Sequence, residues 1–184
     1  MTDERQLVER CLAGEQAAVA ELVERFRSPV FGLAVRMLGH RHDAEDVSQE
    51  SFVRAIRGLR NWDRTRDFLP WLLAIVGNRC RTLLAVRRRR PHGQALVDQL
   101  PDVRPEPSSQ LLAEEVQLGL SAMRSEYRQV FLLFHDQELS YQEIADSLAK
   151  PVGTIKTWVH RARRELIEHL RSRGVVEEST DALR

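Results

Sequence analysis

Four of the seven prolines fall between Pro91 and Pro107, in the stretch RRRRPHGQALVDQLPDVRPEPSSQ. Proline lacks the N–H that a helix interior or an inner strand needs, and it pushes the residue before it into extended geometry. No regular element can run through such a stretch. The 184-residue chain must therefore fold as one unit on the N-terminal side of it and another on the C-terminal side. Polar residues fill the gaps between the prolines, so residues 91–109 read as a flexible linker.

On both sides of the linker the apolar residues recur with one period. Helical spacing runs through 3–13, 16–38, 42–59 and 68–88, and again through 110–123, 126–137, 140–148 and 152–172. No segment alternates with period two. The expected fold is all-α: two small helical domains, residues 1–90 and 110–173, joined by the linker and followed by the tail GVVEESTDALR over 174–184. Hydrophobic residues make up 42% of the chain, enough for a core, and 30% of residues are charged.

The net charge of +1 conceals a segregation. Residues 1–50 carry −4, 51–95 carry +9, 96–149 carry −7 and 150–172 carry +4. Two basic blocks suit a polyanion, and two acidic blocks suit something else. The longest apolar run, FLPWLLAIVG, is about half a membrane span, so no membrane insertion is expected. The first residues, MTDERQLVER, are too charged for a secretory signal. Cys11 and Cys80 lie far apart within helical patterns and read as buried thiols of a cytoplasmic protein.

The last basic block contains LSYQEIADSLAKPVGTIKTWVHRARREL. Ser140 followed by Glu143 makes a capping box, and Leu139, Ile144, Ala145 and Leu148 give that helix an apolar face. Pro151 is expected to end it, and Thr154 to cap the next helix. Two helices joined by so short a turn form a helix-turn-helix. On a wheel, Ile155, Val159, Ala162, Leu166 and Leu170 of the second helix share a narrow core seam. Lys156, Thr157, His160, Arg161 and Arg164 take the opposite arc. Basic and short polar residues near a helix start are what a DNA major groove accepts: Lys and Arg donate to guanine O6 and N7, and Thr offers a hydroxyl or a methyl.

This stretch resembles the fourth conserved region of the extracytoplasmic-function sigma factors of bacterial RNA polymerase. That family shows Leu-Ser-Tyr-x-Glu-Ile-Ala, then Pro-x-Gly-Thr-Val-Lys-Ser-Arg, then Arg-Ala-Arg. Here Thr157 and Trp158 stand in place of Ser-Arg, and MRS at 123–125 lacks the usual Leu-Pro. The resemblance implies that Thr154, Lys156, Thr157, His160, Arg161, Arg163 and Arg164 contact the −35 promoter element. Trp158 flanks the core seam and is expected to pack against the preceding helix.

The first half resembles the same family. DAEDVSQESFVRA matches Asp-Ala-Glu-Asp-x-x-Gln-Glu-x-Phe-x-x-Ala, on a helix whose Phe52, Ala55, Ile56 and Leu59 share the apolar arc. In the family this helix docks on the clamp helices of the polymerase's largest subunit. The residues so implied are Asp43, Asp46, Gln49, Glu50 and Arg54. FLPWLLAIVGN carries the pattern Phe-x-x-Trp-Leu-x-x-Ile-x-x-Asn. On that helix Leu69, Leu72, Val76, Cys80 and Leu83 share an apolar arc, and Trp71, Asn78, Arg81 and Thr82 lie towards the other side. Aromatic, amide and basic side chains on one face suit unpaired bases. The resemblance gives the −10 element to Asn61, Trp62, Asp63, Arg64, Phe68, Trp71, Asn78, Arg81 and Thr82, with the loop 61–67 as the pocket for a flipped base. Arg87 to Arg90 would follow phosphates. The implied partners are core RNA polymerase (clamp helices and the second-largest subunit's flap), promoter DNA and an anti-sigma factor.

Two other classes compete. The six histidines show no metal-ligand spacing with a third donor, and no Walker or dinucleotide pattern occurs, so no cofactor, metal or catalytic residue is expected. HDQE at 135–138 could imitate an acid–base cluster but reads as solvated. An ordinary helix-turn-helix regulator would bind duplex DNA alone, usually as a dimer, whereas a sigma factor needs core polymerase.

Overall fold

The structure, a computed structural model, describes residues 4–89 and 107–176, with side chains from Leu111 onward in the second segment. Its helices are α1 (Glu4–Leu12), α2 (Gln16–Leu38), α3 (Arg41–Gly58), α4 (Phe68–Arg89), α5 (Pro107–Ala122), α6 (Ser125–His135), α7 (Tyr141–Leu148) and α8 (Val152–Ser172), with a 3-10 turn at Leu59–Asn61. No strand occurs among the described residues. The all-α expectation holds. α5 begins at Pro107 rather than at residue 110, because proline at a first helical position lacks only an N–H that would have no helical partner. Most of the expected linker and positions 177–184 of the tail lie outside the described residues.

In the first unit α2 is the spine. Leu22, Phe26, Val30, Leu33 and Met37 recur at three- and four-residue spacing and are all buried, facing α3 and α4. α4 supplies Phe68, Leu72, Leu73, Val76 and Cys80 to the same core. The helix is long and apolar enough to cross a membrane by length and composition; its place in this core accounts for that hydropathy. Cys80 is buried as expected, and burial pushes its thiol up to about 12. Cys11 is buried as well.

In the second unit α5, α6 and α7 surround α8. α8 buries Ile155, Val159, Ala162, Leu166 and Leu170, the seam expected from the wheel. α5 crosses α8 closely at Gly119, where a Cβ would stand 2.7 Å from Leu166 Cδ1.

The start of α7 is the capping box: Ser140 Oγ accepts the Glu143 N–H at 3.2 Å, and Glu143 Oε2 accepts the Ser140 N–H at 2.7 Å. α7 ends at Leu148, as the expected bounds 140–148 have it, and is capped by Ala149, whose φ of 50° is left-handed and directs the Lys150 N–H back to Ala145 O at 2.9 Å. One expectation about the turn needs correction. α8 is capped by Pro151 instead of Thr154, which lies inside the first turn with its N–H on Pro151 O at 2.9 Å.

The two units pack together, α2 and α4 of the first against α5, α6 and α7 of the second.

Candidate nucleic-acid and polymerase interfaces

α8 presents Lys156, Thr157, His160, Arg161 and Arg164 to solvent, the arc opposite its buried seam. The side chains differ in freedom. Thr157 Oγ1 donates back to Gly153 O at 2.8 Å, which leaves its methyl free for contact. Lys156 Nζ stands 5.9 Å from the Tyr141 ring centre, at the junction with α7. Arg161 Nη1 donates to the Tyr127 hydroxyl at 3.0 Å, which raises the Arg161 pKa and lowers that of Tyr127. Arg164 pairs along the helix with Glu168 at 3.7 Å. Two residues expected with this group sit apart from it. Thr154 is half-buried in the first turn. Arg163 turns to α6, where its Nε donates to His135 Nε2 at 3.0 Å and its guanidinium lies 5.3 Å from the Phe134 ring centre. His135 is exposed, as the solvated reading of HDQE expects; desolvation of its ring and the charge of Arg163 lower its pKa. Trp158 is half-buried, and its ring partner is Tyr127 of α6 at 6.2 Å rather than a residue of α7.

On α3, Asp46, Gln49 and Arg54 are exposed. Glu50 is half-exposed and accepts from Arg54 at 2.7 and 3.0 Å and also from Arg79 of α4. The Arg54 hydrogen bond, followed by that of Arg79, holds its carboxyl below the usual range. Asp43 departs from expectation: it turns inward to an ion pair with Arg87 of α4 and lies 3.1 Å from His40. That pair also removes Arg87 from the row of free arginines expected at 87–90; Arg88 and Arg89 are exposed, and Arg90 lies outside the described residues.

Between α3 and α4 lies a depression lined by Gly58, Asn61, Trp71, Ile75, Asn78 and Thr82. It gathers four of the residues assigned to the −10 element. Gly58 forms part of its floor: a Cβ there would already touch the Trp71 ring at 3.7 Å. Trp71 is half-buried with its ring 5.5 Å from Phe68, while Asn61, Asn78 and Thr82 are exposed. Arg54 and Arg79 lie at the rim of the same depression.

The other −10 assignments divide. Trp62 and Phe68 are 5% and 0% exposed and stack edge to face at 5.4 Å, so they are core side chains that cannot reach a base. An aromatic pattern cannot separate a ring that faces DNA from one that faces a neighbouring ring. Asp63 organises its own loop, accepting from the Thr65 N–H at 3.0 Å and the Thr65 hydroxyl at 2.7 Å and pairing with Arg66 at 3.2 Å. Arg64 is exposed, 3.5 Å from Glu9. Arg81 is tied to Glu126 of α6 at 3.0 Å.

Three contributors escaped the sequence reading: Gly58 beneath Trp71, Arg79 behind Glu50, and Tyr127 behind Arg161. Each acts between helices that are distant in sequence, so periodicity carries no trace of it. Among the described residues no group of three or more His, Cys, Asp or Glu side chains could hold a metal ion.

A helix-turn-helix with a polar reading arc, joined to a helical unit bearing an aromatic–amide depression beside arginines, defines a DNA-binding transcription protein. Residues 22–90 match the Sigma-70 region 2 family and residues 113–166 the Sigma-70, region 4 family. The chain is 32% identical to the ECF RNA polymerase sigma factor SigW of Bacillus subtilis (strain 168), over 91% of this chain and 96% of that protein. It is 34% identical to the ECF RNA polymerase sigma factor SigE of Mycolicibacterium smegmatis, over 85% of this chain and 64% of the relative. The solved structure of CnrH in complex with the cytosolic domain of CnrY superposes with a TM-score of 0.69 at 26% identity, covering 92% of this chain and 97% of CnrH. The chain belongs to the extracytoplasmic-function family of RNA polymerase sigma factors. Its function is that of the family, promoter-directed initiation of transcription with RNA polymerase; sigma factors are not in general enzymes.

Proposed function

We propose a division of labour among the surfaces just described. The first unit, residues 1–90, docks on the clamp helices of the largest polymerase subunit through Asp46, Gln49, Glu50 and Arg54. It receives the −10 element in the depression between α3 and α4. Trp71 offers a ring for stacking, and Asn61, Asn78 and Thr82 offer hydrogen bonds to an unpaired base. Opening a base pair costs a few kcal/mol of unstacking, and a lined depression returns part of that. The second unit, residues 110–173, reads the −35 element with Lys156, Thr157, His160 and Arg161 while Arg164 meets phosphate, and it rests on the flap of the second-largest subunit. The protein works in the cytoplasm, where polymerase is, and an anti-sigma factor controls it. A structural relative, CnrH, bound to the cytosolic domain of another protein supports a protein partner of that kind.

The observation that carries this reading is the gathering of Asn61, Trp71, Asn78 and Thr82 around one depression. A regulator that only binds duplex DNA has no use for a site that accepts an unstacked base. Run-off transcription with core polymerase on genomic fragments, with start sites mapped, tests it. Discrete starts that need both proteins and share sequences near −35 and −10 are expected. Tight operator binding without core, and no initiation with it, would instead make the chain an ordinary helix-turn-helix regulator.

A further inference from the structure

The second half of α4 and the start of α6 bound a cleft of about 990 Å³. Five guanidinium groups line it: Arg81, Arg87 and Arg88 from α4, and Arg124 and Arg128 from the start of α6. Two of them have a carboxylate. Arg81 pairs with Glu126 at 3.0 Å, and Arg87 pairs with Asp43. The other three have none among the described residues. Arg88 is exposed. Arg124 is exposed and lies 5.4 Å from the Tyr127 ring centre. Arg128 is 5% exposed, and its donors meet only carbonyls: Met37 O, Ser121 O at 2.6 Å and Met123 O at 3.5 Å. Its Nε has no partner at all. A buried guanidinium without an anion is costly to keep dry, and burial lowers the Arg128 pKa to about 10.

α6 begins in the same cleft. Its capping residue, Arg124, makes no side-chain cap hydrogen bond, so the N–H groups of the first turn look outside the helix for partners. The helix dipole adds partial positive charge at that end. Glu126 shows what the place favours. Its carboxylate accepts from Arg81 Nη2 at 3.0 Å and from the Ser125 hydroxyl at 3.3 Å. Burial alone would raise its pKa; its own backbone N–H and Arg81 outweigh burial and hold the carboxyl below the usual range.

We propose that this cleft is a binding site for an oligophosphate, two or more linked phosphate groups carried by a nucleotide or free in solution. Its volume is that of a small-molecule site, about 300–1,000 Å³. A single phosphate group carries about −1.5 to −2 at neutral pH, so three uncompensated guanidinium groups call for linked phosphates. Planar guanidinium groups on two helices hold phosphate oxygens in pairs. No aromatic side chain lines the cleft. Sites for single-stranded nucleic acid stack bases on aromatic rings, and a fully buried arginine cannot follow a passing strand. The contacts are therefore to phosphate, and a base, where there is one, meets only Leu84 and Ala85. Binding here does not depend on which promoter element each unit meets.

Calorimetric titration of the free full-length protein, without divalent cations, tests the site. Inorganic tripolyphosphate and ATP should bind at one site with similar affinity, and roughly tenfold more tightly than inorganic phosphate. Affinity should fall as salt is raised. Arg88→Gln and Arg124→Gln change exposed side chains and should each weaken tripolyphosphate roughly tenfold. Glu126→Gln removes the competing carboxylate and should tighten it several-fold. Arg27→Gln, on an exposed arginine of α2 outside the cleft, should leave it unchanged. Absence of tripolyphosphate binding overturns the proposal. So does an Arg27→Gln loss equal to that of Arg124→Gln, which would mean diffuse attraction to a charged surface. Single-stranded DNA that displaces tripolyphosphate as readily as ATP does would make the cleft a strand track and overturn it as well.

Discussion

Phe68 offers the sharpest test of where the −10 site stops and the core begins. Its side chain is fully buried, with ring centres of Phe26 at 5.1 Å, Trp62 at 5.4 Å and Trp71 at 5.5 Å around it. Removing it in Phe68→Ala forfeits the transfer free energy of the ring and leaves a cavity that three aromatic neighbours cannot close. Such substitutions cost about 3–5 kcal/mol. A helical unit of this size has about 4–13 kcal/mol in all, at about 0.05–0.15 kcal/mol per residue. The loss is therefore a large share of the unit's stability. Phe68→Leu refills most of the space and should cost less than about 1.5 kcal/mol.

Urea unfolding followed by tryptophan fluorescence measures both, in a Trp158→Phe background so that only Trp62 and Trp71 report. The midpoint should fall steeply for Phe68→Ala and little for Phe68→Leu, with promoter melting near normal in the Leu variant at low temperature. A Phe68→Ala protein that keeps its stability to within about 1 kcal/mol yet fails to melt promoters would refute the reasoning. It would put the ring against DNA and not in the core.

Asp46→Lys should weaken core polymerase binding with helicity unchanged, since Asp46 is exposed and pairs with His42, a turn away on the same helix at 3.3 Å; unchanged affinity would remove α3 from the clamp contact. Asn78→Ala should slow open-complex formation on duplex promoters more than on a template already bubbled across −10, as permanganate footprints of melted thymines would show; equal defects on both templates would mean that Asn78 does not assist melting. Lys156→Ala should relax preference at one −35 base pair at a cost of about 1–3 kcal/mol, whereas Arg164→Ala should lower affinity for all sequences and reduce the salt slope by about one unit; a randomised −35 library at two salt concentrations separates the two, and a base preference that survives Lys156→Ala would clear that residue of sequence reading. Ser140→Ala removes the side-chain half of the α7 capping box and should lower stability by about 1 kcal/mol, read as a shift in the urea midpoint; no shift would make the box dispensable.

The elements were legible because each is written in local chemistry. The α8 seam, the capping box of α7 and the spacing of α2 all depend on residues within four positions of one another, and the structure reproduces them. The turn before α8 was misread for a local reason too. Thr154 is a good capping residue by type, but the chain already begins its helix at Val152, and Pro151 takes the cap position because its extended backbone sets its carbonyl to accept the Thr154 and Ile155 N–H groups. The site was legible in part. Wheel positions placed Asn78 and Thr82 on an exposed face correctly. They could not say that Asp43 would turn to Arg87, that Arg163 would turn to His135, or that Trp62 and Phe68 would face each other, since those choices are made by helices that meet only after folding.

Arg161 shows how the two levels combine. The wheel places it on the polar arc of α8 near the helix start, where a side chain can reach a base edge. Folding then adds Tyr127, a residue 34 positions earlier on another helix, whose hydroxyl accepts from Arg161 Nη1 at 3.0 Å and whose ring packs beside Trp158. The family pattern has arginine where this chain has Trp158, so one cation is lost from the helix while a ring is gained against α6. That ring helps seat Tyr127, and Tyr127 in turn restricts the rotamers open to Arg161. A guanidinium held in one orientation loses less entropy on meeting a guanine than a free one. On the proposed reading of the −35 element, the exchange at 158 gives up a charge that any phosphate could attract and gains a better-oriented neighbouring arginine, so it should lower general affinity for DNA while sharpening preference at the base that Arg161 meets.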